Sequence, residues 1–144
     1  MQTDLTIVTH SAHMVEVLRK ELSEGFDEAV QKIEQICDDE GFTVMLTKSV
    51  DEIFAKKLGV KNYPRYTVIL ACAAPLAKMG LDVSKDVGTI FPCSFVVYED
   101  KGKIFAAHTS IMRIAAETGL APKDKMAPVI EETGKRVHRV WDRI

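Results

Sequence analysis

Apolar positions along this chain follow two periods, and the switches between them predict a succession of short strands and helices. Leu5-Thr6-Ile7-Val8-Thr9 is a β-branched run and reads as a strand. From His13 to Leu22 the pattern is divided. Val15 and Val17 alternate, while Val15, Leu18 and Leu22 also suit a helix, and strand is the preferred reading. Phe26, Ala29, Val30, Ile33, Ile36 and Cys37 fall on one stripe at helical spacing and predict a helix over Phe26–Glu40. Gly25 suits its N-cap, Asp27 and Glu28 suit the positive end of its dipole, and Gly41 suits the position beyond its end.

Phe42 to Thr47 reads as a strand, followed by a short helix over Val50–Leu58, with Ser49 and Glu52 as its capping box and Gly59 as its stop. Tyr66 to Ala71 is a near-continuous apolar run, as in a central strand. A short helix over Pro75–Leu81 follows, with Pro75 in its first turn, and then a strand over Ile90–Tyr98 entered through Pro92-Cys93. Glu99-Asp100-Lys101-Gly102 is a polar reversal, so Lys103–His108 pairs back as a hairpin. Ser110 caps a helix ending at Gly119. From Asp124 a closing helix carries Met126, Val129, Ile130, Thr133, Val137, Val140, Trp141 and Ile144 on one stripe and charged residues on the other. Pro128 is tolerated in its first turn, and Gly134 weakens its middle.

Composition narrows the function classes. The 144 residues suit one domain, here a body over 1–122 and a closing helix over 123–144 that packs on it or builds a dimer contact. Hydrophobic residues make up 47% and charged residues 28%, as in a globular protein, and the net charge of −2 builds no field for nucleic acid. No apolar run is long enough to span a membrane, and Met1-Gln2-Thr3-Asp4 does not open a secretory signal. Cys37, Cys72 and Cys93 are odd in number and widely spaced, which argues against a disulfide framework and for a cytoplasmic location.

Four features together resemble the family of domain of unknown function 302 (DUF302). They are Phe26-Asp27-Glu28-Ala29-Val30 running into Glu40-Gly41-Phe42; Lys56-Lys57-Leu58-Gly59 before Tyr66 and the apolar strand; Cys72 at the start of a helical segment; and Phe91-Pro92-Cys93 leading into Val96-Val97-Tyr98-Glu99. The resemblance spans Phe26 to about Thr109 and leaves the closing helix outside. It implies an α+β fold, a two-layer sandwich in which helices cover one face of a mostly antiparallel sheet, with a strand just before the first helix. The family pattern has Cys-Asn-Pro after the central strand. Here Ala73-Ala74 follow Cys72 and Pro75 comes one place later, so no role of that asparagine carries over. The resemblance implies no activity.

Candidate chemistry centres on Cys72, which ends a buried strand just before a helix whose free amides favour a thiolate. Free cysteine is also a common small core residue. If the short helix only turns a corner, Cys72 and Cys93 meet at one end of the sheet, where two thiols could form a redox couple, carry sulfur or bind a soft metal. Cys37, on an apolar helix face, reads as core. His10 and His13, three apart, diverge on a strand and form no shared metal site. His108 with Met112 is the one weak metal alternative, as haem ligands, and an exposed structural histidine is the ordinary reading of His108. Asp38-Asp39-Glu40 reads as a solvated corner, or else a cation site. No nucleophile-elbow, P-loop or zinc-protease motif is present.

The expected function is therefore a binding or regulatory module rather than an enzyme. It would hold a small-molecule ligand near Cys72, Ala73, Pro75 and Cys93. The alternatives are a thiol-dependent redox or sulfur-handling protein, with Cys72 as nucleophile and Cys93 as resolving thiol, and a structural homodimer. A homodimer is the expected partner state, with no nucleic acid and no membrane, and no particular cofactor is implied.

Overall fold

The computed structural model describes residues 15–144. The expected strand Leu5–Thr9, together with His10 and His13, lies outside the described residues. The chain runs β1 (Val17–Leu22), α1 (Phe26–Asp39), β2 (Thr43–Ser49), α2 (Val50–Leu58), β3 (Tyr66–Cys72), α3 (Ala74–Val83), a 3-10 helix (Lys85–Ile90), β4 (Cys93–Asp100), β5 (Lys103–Thr109), α4 (Ile111–Glu117) and α5 (Lys123–Arg143). The strands form one sheet in the order β1-β5-β4-β3-β2, and every neighbouring pair is antiparallel. This is an α+β fold. The divided segment before α1 is an edge strand from Val17, paired with β5.

Alternation along the strands separates two faces. Thr67, Ile69 and Ala71 of β3 and Cys93, Phe95 and Val97 of β4 are buried on one of them. Tyr66, Val68 and Leu70, with Ser94, Val96 and Tyr98, are half-buried on the other. The buried face meets α1 through Phe26, Ala29, Ile33, Ile36 and Cys37. Val30 packs at the edge of that cluster. Burying a side chain such as Ile33 contributes about 1.5–3 kcal/mol.

The hairpin between β4 and β5 closes on Lys101 and Gly102, with φ of 52° and 79°. Positive φ at both central residues matches the right-handed strand twist, and glycine takes the second without strain.

Two local expectations need correction. Ser49 is the N-cap of α2, but its hydroxyl lies 3.3 Å from Thr67 Oγ1 and makes no cap bond. The expected capping box with Glu52 does not form, because strand pairing to β3 claims the side chain. The strand expected from Ile90 begins at Cys93, because Ile90 ends the 3-10 helix and Pro92 has no N–H to pair. The acidic corner is exposed at Asp38 and Asp39, as expected, but it is also paired with α5. Arg139 and Arg143 of α5 pair with Glu40 at 3.2 and 3.0 Å, and Arg143 also pairs with Asp39 at 3.0 Å. Gln35 and Arg143 hold the Asp39 carboxyl below its usual range. Arg136 donates to the Glu40 carbonyl at 3.1 Å. Gly41, at φ 88°, both reverses the chain and leaves room for that guanidinium, which any Cβ would strike.

The closing helix packs on its own chain. Its first half joins Met126 and Val129 to a cluster with Val87, Cys93, Ile111, Met112 and Ala115. Its second half carries Val137, Val140 and Trp141 into the α1–sheet cluster. Thr133, 1% exposed, stands between the two. Beside it, among the described residues no atom beyond the chain neighbours and the helix's own backbone comes within 4 Å of where a Cβ on Gly134 would stand. Gly134→Ala is therefore expected to raise stability by about 0.5–1 kcal/mol, since it removes backbone entropy and displaces nothing. A lowered urea midpoint would show that the methyl meets a packed wall instead.

Candidate functional site

The cysteines converge on one end of the sheet without forming a pair. Ala71 is the register partner of Cys93, so Cys72 lies one step past it. Alternation then sends Cys72 to the opposite face. Ala71, Ala73 and Cys93 are buried, and Cys72 is half-buried. Cys72 and Cys93 nevertheless line the same crevice at this strand end. All three cysteines are free thiols. Burial, with smaller contributions from Cys93 and Glu34, pushes the Cys37 thiol up to about 12. Burial, and then Cys72, pushes Cys93 up to about 11. Both stay protonated at neutral pH and are poor nucleophiles.

At this strand end a crevice forms where β3 turns into α3. Phe42, Leu76, Phe91 and Met112 wall it, and Ala71, Ala73 and Cys93 leave it open because they are small. Cys72 and Thr133 also line it. Its volume is about 20 Å³, close to the ~10–15 Å³ that one water needs. Pro75 is exposed in the first turn of α3 and does not line it.

His108 is not the exposed histidine expected. It is 4% exposed, because strand alternation turns it to the covered face opposite Phe95, with the rings stacked at 4.3 Å. Its Nδ1 lies 2.8 Å from the Ser94 carbonyl. A carbonyl only accepts, so Nδ1 carries the proton and Nε2 presents a lone pair. Among the described residues Nε2 is buried without a partner, and so is Thr133 Oγ1. Both residues line a second cavity, between β5 and α5. Met112 lines the Cys93 crevice instead, so His108 and Met112 do not share a cavity. Among the described residues no three His, Cys, Asp or Glu side chains group as a metal site, and no helix is long and apolar enough to cross a membrane.

Sequence reasoning missed His108 and Thr133 as a pair. The signal was there: His108 shares its strand parity with Ile104 and Ala106, and Thr133 is the polar member of an otherwise apolar stripe.

The family model described as a domain of unknown function, DUF302, matches residues 18–144. No curated protein matches the chain. Among solved structures, the crystal structure of an uncharacterized conserved DUF302 protein from Bacillus stearothermophilus is similar at 24% identity and a TM-score of 0.77. It covers 88% of this chain and 96% of that one. At this identity the likeness is one of fold. The matched span corrects the expected limits, since it takes in β1 before Phe26 and runs past Thr109 through the closing helix.

The imidazole of His108 is held below 6.5 by burial, offset in part by the Ser94 carbonyl. The unfolded chain therefore takes up that proton more readily. Its contribution to stability is complete above pH 6.5 and falls as the pH drops through 6.5 toward the lowered folded value. His108→Gln is expected to flatten this fall in urea unfolding measured between neutral and acid pH. An equally steep profile in the variant would assign the acid sensitivity to other groups.

Proposed function

The chain belongs to the DUF302 family, and from that premise we propose that it is a binding module which takes a small apolar group of a ligand into the crevice beside Cys72, Ala73 and Cys93. One observation carries the reading. Three small buried residues on adjoining segments leave a space that the surrounding Phe42, Leu76, Phe91 and Met112 do not fill. Well-packed interiors seldom keep such a gap. The space suits a methyl-sized group, and its thiols act as weakly polar walls rather than as a redox couple.

A second reading, a homodimer through the sheet face opposite α1, has its own support. Tyr66, Tyr98 and Phe105 stack across β3, β4 and β5 at 5.7 and 5.5 Å. Val68, Leu70 and Val96 lie on the same face, and Arg19, Glu21 and Lys48 rim it on the outer strands. An apolar centre within a charged rim is the anatomy of a protein interface, and its occupant would be a second copy of this chain.

Xenon, which makes no hydrogen bonds, is the probe for the crevice. Methyl NMR under xenon pressure is expected to give saturable shifts at Ala71, Ala73 and Met112. Ala73→Val, compatible with the extended backbone at that residue (φ −95°, ψ 106°), should abolish them. Absent shifts, or shifts that persist in the variant, would defeat the crevice reading. For the dimer, sedimentation equilibrium is expected to give twice the chain mass of 16.0 kDa, and Tyr98→Lys should return it to the single mass. A wild-type protein that sediments at the single mass would rule the interface out.

A further inference from the structure

The cavity shared by His108 and Thr133 lies on the other side of Thr133 from the crevice. It opens where the start of β1, the end of β5, the first turn of α4 and the middle of α5 meet. Its volume is about 110 Å³, several times the ~10–15 Å³ that one water needs. Leu18, Ile130 and Val137 give it apolar walls. Glu16, Arg113 and His138 line it as exposed side chains of both signs, so the entrance selects for neither charge.

Three features distinguish it from a packing flaw. His108 Nε2 and Thr133 Oγ1 are the two buried side-chain atoms without a partner among the described residues, and both residues line this one cavity. Buried polar groups are almost always paired, so two orphans at one place mark an unfilled position. The Ser94 bond fixes the tautomer, which leaves Nε2 able only to accept. Burial favours the neutral ring. Gly134 also lines the cavity, in mid-helix, where packing gives no reason to exclude a methyl group.

A hydroxyl has the chemistry both orphans lack, a proton to donate to Nε2 and a lone pair to accept from the threonine hydroxyl. We propose that this cavity binds a small, uncharged hydroxylated molecule, an alcohol or polyol, held by one hydroxyl between His108 and Thr133. Leu18, Ile130 and Val137 then cover its carbon skeleton. The site is separate from the crevice beside Cys93 and stands whether or not that crevice is occupied.

The test uses propane-1,2-diol against 1,2-dimethoxyethane, whose two oxygens carry no proton, with 15N NMR of the histidine side chains as readout. The diol is expected to move the His108 Nε2 resonance saturably, and the diether is not. Thr133→Val keeps the shape and removes the hydroxyl, and should weaken diol binding by about three- to tenfold. Gly134→Ala should weaken binding while the fold gains stability, so its loss is not misfolding. Equal responses to the two probes, no saturable response, or unchanged affinity in both variants would overturn the proposal. So would long-lived cavity water that the diol fails to displace, since the cavity would then hold water only.

Discussion

Covering one face of a five-stranded sheet is the constraint from which the rest follows. A single amphipathic helix cannot do it. α1 lies over β2, β3 and β4, and its stripe is used up there. The remaining cover comes from α5, whose Val140 is fully buried and whose Trp141 is 9% exposed. Lys20 of β1 fastens the end of that helix, donating to the Trp141 carbonyl at 2.8 Å with its ammonium 5.1 Å from the ring centroid. At the other margin Arg136, Arg139 and Arg143 reach the end of α1. Exposed ion pairs of this kind give less than about 1 kcal/mol each. Their contribution is to register and angle, while apolar burial supplies the adhesion.

That division explains what could be read from the chain and what could not. The stripes of α1 and α5 and the reversal at Lys101-Gly102 are local periodicities, and they appear where the pattern puts them. The arginine partners of the acidic corner could not be read, because they lie about a hundred positions away on α5. Ser49 was misread for a similar reason, as its hydroxyl answers to Thr67 across the strand pair. His108 was misjudged because a polar residue at a strand end ordinarily faces water. Here the sheet is already covered at that point, and parity with Ala106 turns the ring inward. The one-residue offset that pairs Cys93 with Ala71 rather than Cys72 is likewise set by strand register, which spacing along the chain does not reveal.

Bridging two clusters with one helix has a geometric consequence. The first half of α5 packs against α4 and the 3-10 helix, and the second half against α1 and the sheet. At the junction neither cluster supplies enough side-chain volume, and both cavities open there, on either side of Thr133. A leucine at that position would be the ordinary choice for joining two apolar clusters. Threonine instead places a hydroxyl in the seam, and a buried hydroxyl without a partner costs about 1–3 kcal/mol.

Among the described residues the seam therefore carries three unfavourable choices around one cavity: an unpaired imidazole nitrogen, an unpaired hydroxyl and a mid-helix glycine. Sequences agree with their folds across most levels and break local rules where function asks for it. For the proposed site the glycine is the informative member of the three. A seam that was merely ill-packed would gain from a methyl group at Gly134, which displaces nothing, whereas a seam that must admit a molecule has to leave that space empty.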